Sequence, residues 1–327
     1  MISIYQKGRI AALTASIAFI GVLLPNLTYA LTTSLQVAYP AGGAADVATR
    51  QIQSGLSAAL KQPVIVENRP GAGGSIGATS VLRAEPDGET LLVTTGNDLI
   101  LGPLAMSQMK YKPEDFRMLG TIFPTDFLLV TNADHSFKSL DDLVEQARAS
   151  KDEFTAGSWG YGSAPYLVSA DFAMATGVRL LDIPYKGAAP VVQALLSKEI
   201  DLAFVPVAAS IIEFINQGLI KPIGTANTQR NPFLPNVPTL NESKYLNDFV
   251  YSAWAAVFVP RSVPESKANE LAKALASAVS SDTFQQFLKG SAALPVKAMS
   301  LQESDAYFQS EMEKFRRIAK QIKLVPR

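Results

Sequence analysis

Two short loops hold the residues best suited to chemistry in this chain. The first reads Tyr39-Pro40-Ala41-Gly42-Gly43-Ala44-Ala45-Asp46; the second reads Gly157-Ser158-Trp159-Gly160-Tyr161-Gly162-Ser163 and runs on to Tyr166. Each follows an apolar strand pattern and opens a helical one. In open α/β sheets, ligands bind at the carboxyl ends of strands, where helix N-termini turn N–H groups outward. Those groups, with the positive end of the helix dipole, suit an anion. Glycine lets the backbone approach a ligand closely and adopt positive φ. One such loop on each side would clasp a carboxylate. Glycine serves tight strand-to-helix turns equally well, and spacing alone does not choose between these readings.

The candidate contacts are Tyr39, Ala41, Gly42, Gly43 and Asp46 in the first loop, and Ser158, Trp159, Gly160, Gly162, Ser163 and Tyr166 in the second. Thr95 and Asn97, which follow another strand pattern, join them, as do Tyr185 and Lys186. Asp46 could accept a hydrogen bond from a ligand ammonium or hydroxyl, or serve only as a first-turn acid for its own helix. Lys186 could add positive potential or be a solvated turn lysine. Trp159 could stack on a ligand ring or line a wall.

Enzymatic readings fail on the residues they need. Gly71-Ala72-Gly73-Gly74-Ser75-Ile76-Gly77 misses the dinucleotide spacing and lacks the Gly-Lys-Ser/Thr ending of a phosphate loop. Ala156-Gly157-Ser158-Trp159-Gly160 nearly matches a nucleophile elbow, but an α/β-hydrolase places its histidine after the serine. His135 precedes it and is the single histidine of the chain, which also excludes a multi-histidine metal site. His135 is expected at the surface, in a polar strand-to-helix connection. Asp141 and Asp142 are consecutive and share no helix face, so they read as first-turn acids. With no cysteine there is no disulfide framework, zinc cluster, thiol nucleophile or lipidated cysteine. No cofactor or metal is expected.

The N-terminus carries an export pattern. Lys7 and Arg9 precede an apolar run over 10–24, Pro25 breaks it, and Thr28-Tyr29-Ala30 supplies small residues for cleavage after Ala30. The run falls short of the roughly 20 residues of a spanning helix. The chain has 29 basic and 29 acidic side chains; processing removes only Lys7 and Arg9, leaving a net charge of −2. That balance argues against a nucleic-acid partner. Hydrophobic residues make up 48% of the 327, enough for the cores of two domains.

The elements that must position the loops come from hydrophobic periodicity. Strands are expected over 35–38, 64–67 and 90–94, alternating with helical patterns over about 47–60 and 76–84. A second run has strands at 127–131, 154–156, before Pro184 and at 201–205. Its helices cover 140–149 (N-capped by Ser139), about 166–175 and 190–196. Strand 253–259 and long amphipathic helices follow. This rhythm implies two α/β lobes, each with an open, mostly parallel sheet.

Read together, these stretches resemble the periplasmic solute receptors of tripartite tricarboxylate transporters, the Bordetella-uptake-gene type. The first loop is one match. Val64-Ile65-Val66-Glu67-Asn68-Arg69-Pro70-Gly71-Ala72-Gly73-Gly74-Ser75-Ile76-Gly77-Ala78 is the most recognisable, though it reads as architectural. Pro86-Asp87-Gly88-Glu89-Thr90-Leu91, Ile183-Pro184-Tyr185-Lys186-Gly187 and Val237-Pro238-Thr239-Leu240-Asn241-Glu242 continue it. The resemblance implies a type II periplasmic-binding-protein fold, with a cleft between two α/β lobes joined by crossing strands. One lobe would be 31–127 plus 255–327 and the other 128–254. It implies a monomeric receptor that holds a small carboxylate through both loops and delivers it to membrane permease subunits. Presentation to a membrane sensor is the alternative. The chain departs from the family's habit at Ala45, where threonine or serine is common, and at Tyr166, where histidine is common. These departures bear on which carboxylate fits.

Overall fold

A computed structural model describes residues 31–327; the expected signal segment, residues 1–30, lies outside the described residues. The first apolar pattern folds as strand β1 (Thr33–Val37), whose alternation sends successive side chains to opposite faces. Leu35 and Val37 enter a core with helix α1 (Ala44–Leu60); the Ala38 that follows them packs with Ala78 and Val81 of α2 (Ser75–Leu82). Parallel neighbours β2 (Val64–Asn68) and β3 (Thr90–Thr95) flank β1. Helix α1 buries Ala45, Ala48, Thr49, Ile52 and Leu56, a stripe of helical period. It lies against α8 (Glu265–Val279), where a β-carbon on Gly55 would sit 3.3 Å from that of Ala278. Small residues thus set the close approach of these two helices.

The middle of the sheet is built differently. Strand β4 (Phe116–Asn132) pairs antiparallel with β9 (Ser252–Pro260) as far as Asp126. From Phe127 onward it pairs antiparallel with β7 (Leu202–Pro206) and β8 (Ile220–Thr225). Strand β9 is also antiparallel to β3, and β5 (Phe154–Ser158) is parallel to β7 and β6 (Leu180–Pro184). The path is β2-β1-β3-β9-β4-β7-β5-β6, with β8 on β4. The expected parallel pairing therefore holds at both ends, whereas the centre is antiparallel because β4 and β9 cross it in opposite directions.

Seven further helices cover the sheet among the described residues: α3 (Gly96–Ala105), α4 (Leu140–Ala149), α5 (Ala164–Thr176), α6 (Ala188–Leu196), α7 (Ala209–Asn216), α9 (Asp282–Gly290) and α10 (Leu301–Gln321). Ser139 caps α4 by accepting from the Asp142 N–H. Three cores result. One lies among α1, α8 and α9; another lies under α6 and α7; the third runs continuously past α3, α4, α5 and α10. None of the described helices is long and apolar enough to cross a membrane. His135 is not a plain surface residue: it is half-buried, stacks on Phe137 with ring centroids 4.7 Å apart, and pairs with Asp201 at 2.9 Å. Apolar packing on one ring face and a carboxylate at Nε2 hold it there.

Candidate functional site

At the first loop, Pro40 to Gly43 are exposed, and Gly42 takes φ +86°, a left-handed conformation that favours glycine. Gly43 is the N-cap of α1 and offers no side-chain cap. Asp46, only 2% exposed, accepts from Gly42 N–H at 2.9 Å, Asn68 Nδ2 at 2.8 Å and Arg50 Nε at 3.1 Å. Burial alone would raise its carboxyl; the bonds from Arg50, Gly42 and Asn68 outweigh this and hold it below the usual carboxylate range. Asn68 Nδ2 also donates to the Tyr39 carbonyl at 3.1 Å, so the Asn-Arg-Pro-Gly stretch holds this loop from behind.

The Tyr39 side chain ties the first loop to the start of α3. Its hydroxyl donates to Asp98 Oδ2 at 2.6 Å, accepts from Thr95 N–H at 3.1 Å and lies 2.8 Å from Thr95 Oγ1. Burial, then the charge of Asp98, pushes the Tyr39 hydroxyl well up, so it stays protonated. Burial likewise raises Asp98, against the hydrogen bonds from Tyr39 and Thr95. Thr95 caps α3 through Asp98 N–H at 3.2 Å. Asn97 donates to the Ser252 carbonyl of β9 at 3.2 Å, while its buried Oδ1 has no partner. Between them, Gly96 is obligatory, since a β-carbon there would lie 1.7 Å from the Trp254 ring. Trp254 is 1% exposed and donates to Glu311 at 3.2 Å.

At the second loop, buried Ser158 accepts from Gly160 N–H at 3.1 Å, and Ser163 caps α5 by accepting from Tyr166 N–H at 3.4 Å. Gly160 and Gly162 both have left-handed φ, +100° and +77°. Trp159 packs beside the α6–α7 core, and its buried Nε1 has no partner. The Tyr185 N–H donates to the Ser158 carbonyl at 2.9 Å. Lys186 is exposed and makes no ion pair among the described residues. Neither Gly187, the N-cap of α6, nor Ala208, the N-cap of α7, has a side-chain cap. Gly162 packs so closely on α3 that a β-carbon would meet that of Ala105 at 2.0 Å. Beside it, the Tyr161 hydroxyl donates to the Val325 carbonyl at 2.8 Å and accepts the Val325 N–H at 3.1 Å.

The structure thus joins Tyr39 to Thr95, and Ser158 to Gly160 and Tyr185. Ala41, Gly42 and Gly43 form an exposed rim, while Tyr166 faces a cavity between α5 and β6. Among the described residues no hydrogen bond or ion pair runs directly from first-loop to second-loop residues; α3 touches both. Sequence reasoning did not single out Asp98, Arg50 or Ala105. The Thr95-x-x-Asp98 spacing of an N-cap signature was the available signal for the first. Nothing local marks Ala105.

Solved structures define the class first. The periplasmic binding protein BugD matches with a TM-score of 0.74 at 27% identity, over 90% of this chain and 99% of its own. The Rhodopseudomonas palustris protein Rpa4515, solved with adipate, matches at 0.79 and 26% identity, over 90% and 98%. The fold is that of a periplasmic binding protein. Residues 48–324 match the model of the tripartite tricarboxylate transporter family receptor, and the chain belongs to that family. BugT of Bordetella pertussis is 34% identical over 229 residues, covering 69% of each chain. The chain is a solute-binding receptor of this family, not an enzyme.

Proposed function

We propose that the chain is an exported periplasmic receptor, cleaved after Ala30, that captures a small organic carboxylate and hands it to the permease subunits of a tripartite transporter. One observation carries the ligand class: α1, α6 and α7 all begin without a side-chain cap, so the N–H groups of Ala44, Ala45, Ala188, Ala189, Ala209 and Ser210 remain available to an anion. The unpartnered Trp159 Nε1 is a further donor beside them, and Lys186 adds positive charge without a competing carboxylate. Two lobes, 31–127 plus 255–327 and 128–254, close on the ligand. Strands β4 and β9 serve as the hinge, a reading supported by the change of β4 partners between Asp126 and Phe127. Only a ligand that touches both lobes favours closure.

The test is calorimetric titration of mature protein, refolded to strip any co-purified ligand, against mono-, di- and tricarboxylates. Adipate comes first because the similar R. palustris protein was solved with it. Saturable binding to at least one acid, abolished in its diamide, is expected. Refolded protein that ignores every carboxylate but binds a neutral or cationic solute would overturn the reading.

A further inference from the structure

Tyr166 opens onto a cavity of about 320 Å³ between α5, strands β5 and β6 and the residue after α10. Its wall is largely apolar, with Ala173 of α5, Leu180 of β6 and Ile322 among the lining residues. Besides the Tyr166 hydroxyl, two polar groups interrupt it. Ser169 is 4% exposed and its Oγ has no partner; Asp182 also lines the cavity, and its Oδ1 is buried without a partner. Burial raises the Asp182 carboxyl, partly offset by hydrogen bonding with Ser158. No lysine or arginine lines the cavity to answer that carboxylate.

A buried acceptor oxygen left unmatched is unfavourable, and a carboxylate more so than a neutral group. The matching ligand brings hydrogen-bond donors and positive charge at one end and alkyl surface at the other. An ammonium has three donors, enough for Asp182 Oδ1 and Ser169 Oγ together. A hydrated metal ion fits poorly: there is one carboxylate, the remaining wall is mostly alkyl, and no cluster of three ligating acids or histidines occurs among the described residues. The volume lies at the small end of ligand pockets.

We propose that this cavity is a second binding site, for a small primary ammonium with a short apolar body, distinct from the carboxylate clasp. Asp182 holds the charge, Ser169 takes one of the N–H donors, and Ala173, Leu180 and Ile322 enclose the alkyl part. Calorimetric titration of the mature protein with n-butylammonium chloride tests this, with n-butanol and sodium chloride as controls. Saturable binding of butylammonium alone is expected. Asp182→Asn should weaken it about tenfold or more, the scale of a lost charge-assisted hydrogen bond. Ala173→Leu fills the cavity without touching the carboxylate and should block butylammonium as well, which covers the case of an Asp182→Asn protein that does not fold. The proposal is overturned by absence of saturable binding, by equal binding of butanol or sodium, or by binding that survives both substitutions. It stands or falls independently of whether any carboxylate binds.

Discussion

Around the first loop, a single carboxylate draws Gly42, Arg50 and Asn68 together, and Tyr39 adds a tie to Asp98 of α3. Around the second loop, local support comes from serine caps, the Ser163 N–H to Gly160 carbonyl bond, the Tyr185 strand bond and the packing of Trp159, with no buried carboxylate at its centre. It also leans on distant parts of the chain, on Ala105 of α3 and on Val325 and Arg327 beyond α10. The first loop is thus held from within by Asp46, with α3 as one further anchor. The second takes its position from α3 and the C-terminal segment, so anything that moves those elements moves it.

Substitutions can break this contrast. The largest effect is expected from Asp46→Ala, which strips the acceptor from three donors. The loss should be about 3 kcal/mol, the low end for a broken buried pair because Arg50 can rehydrate. A urea midpoint measures it, and carboxylate affinity should fall with it. The same group predicts acid sensitivity. Its folded pKa lies below its unfolded value, so it contributes stability above the unfolded pKa that is lost as pH falls through the folded one. Asp46→Asn should flatten that acid limb, and an unchanged limb would contradict the assignment.

Gly162→Ala comes next, at about 2–3 kcal/mol, from overpacking against Ala105 plus a left-handed alanine. Combining it with Ala105→Gly separates the terms. The nearest remaining atom would then be the residue 105 α-carbon at 3.5 Å, an ordinary contact, so roughly the conformational part of about 1 kcal/mol should remain. Strict additivity in that cycle would deny the α3 contact. Smaller still, Tyr161→Phe should cost about 1 kcal/mol and speed amide exchange in residues 159–163, leaving residues 40–46 unchanged. Smallest is Lys186→Ala: stability within about 0.5 kcal/mol of the parent, with a carboxylate association rate that falls and loses salt dependence.

The sequence rhythm predicted the parallel ends of the sheet, because those strands are short apolar runs bounded by glycine and proline. It missed the first half of β4, where Arg117, Gly120 and Pro124 interrupt the alternation and two register shifts absorb them. Helix α3 was hidden by Gly96, Gly102 and Pro103, weak or forbidden in helix interiors. Gly96 is there because of Trp254, 158 positions away in the chain and invisible to any local window. Of the candidate site, the turn conformations of the loops were legible from glycine and helix-start chemistry. The engagement of Asp46 by Asn68, and the lean of Gly162 on Ala105, are tertiary facts that spacing does not encode.

The chain has two tryptophans, and their surroundings differ. Trp254 is sealed against Gly96, Tyr307 and Phe308 with its indole N–H occupied. Trp159 lies on the second loop with its N–H unoccupied. The protein therefore carries its own optical gauge: one steady emitter in the core and one whose emission answers to whatever fills or moves the loop. Ligand capture can be followed in real time on unlabelled protein, with Trp159→Phe as the blank.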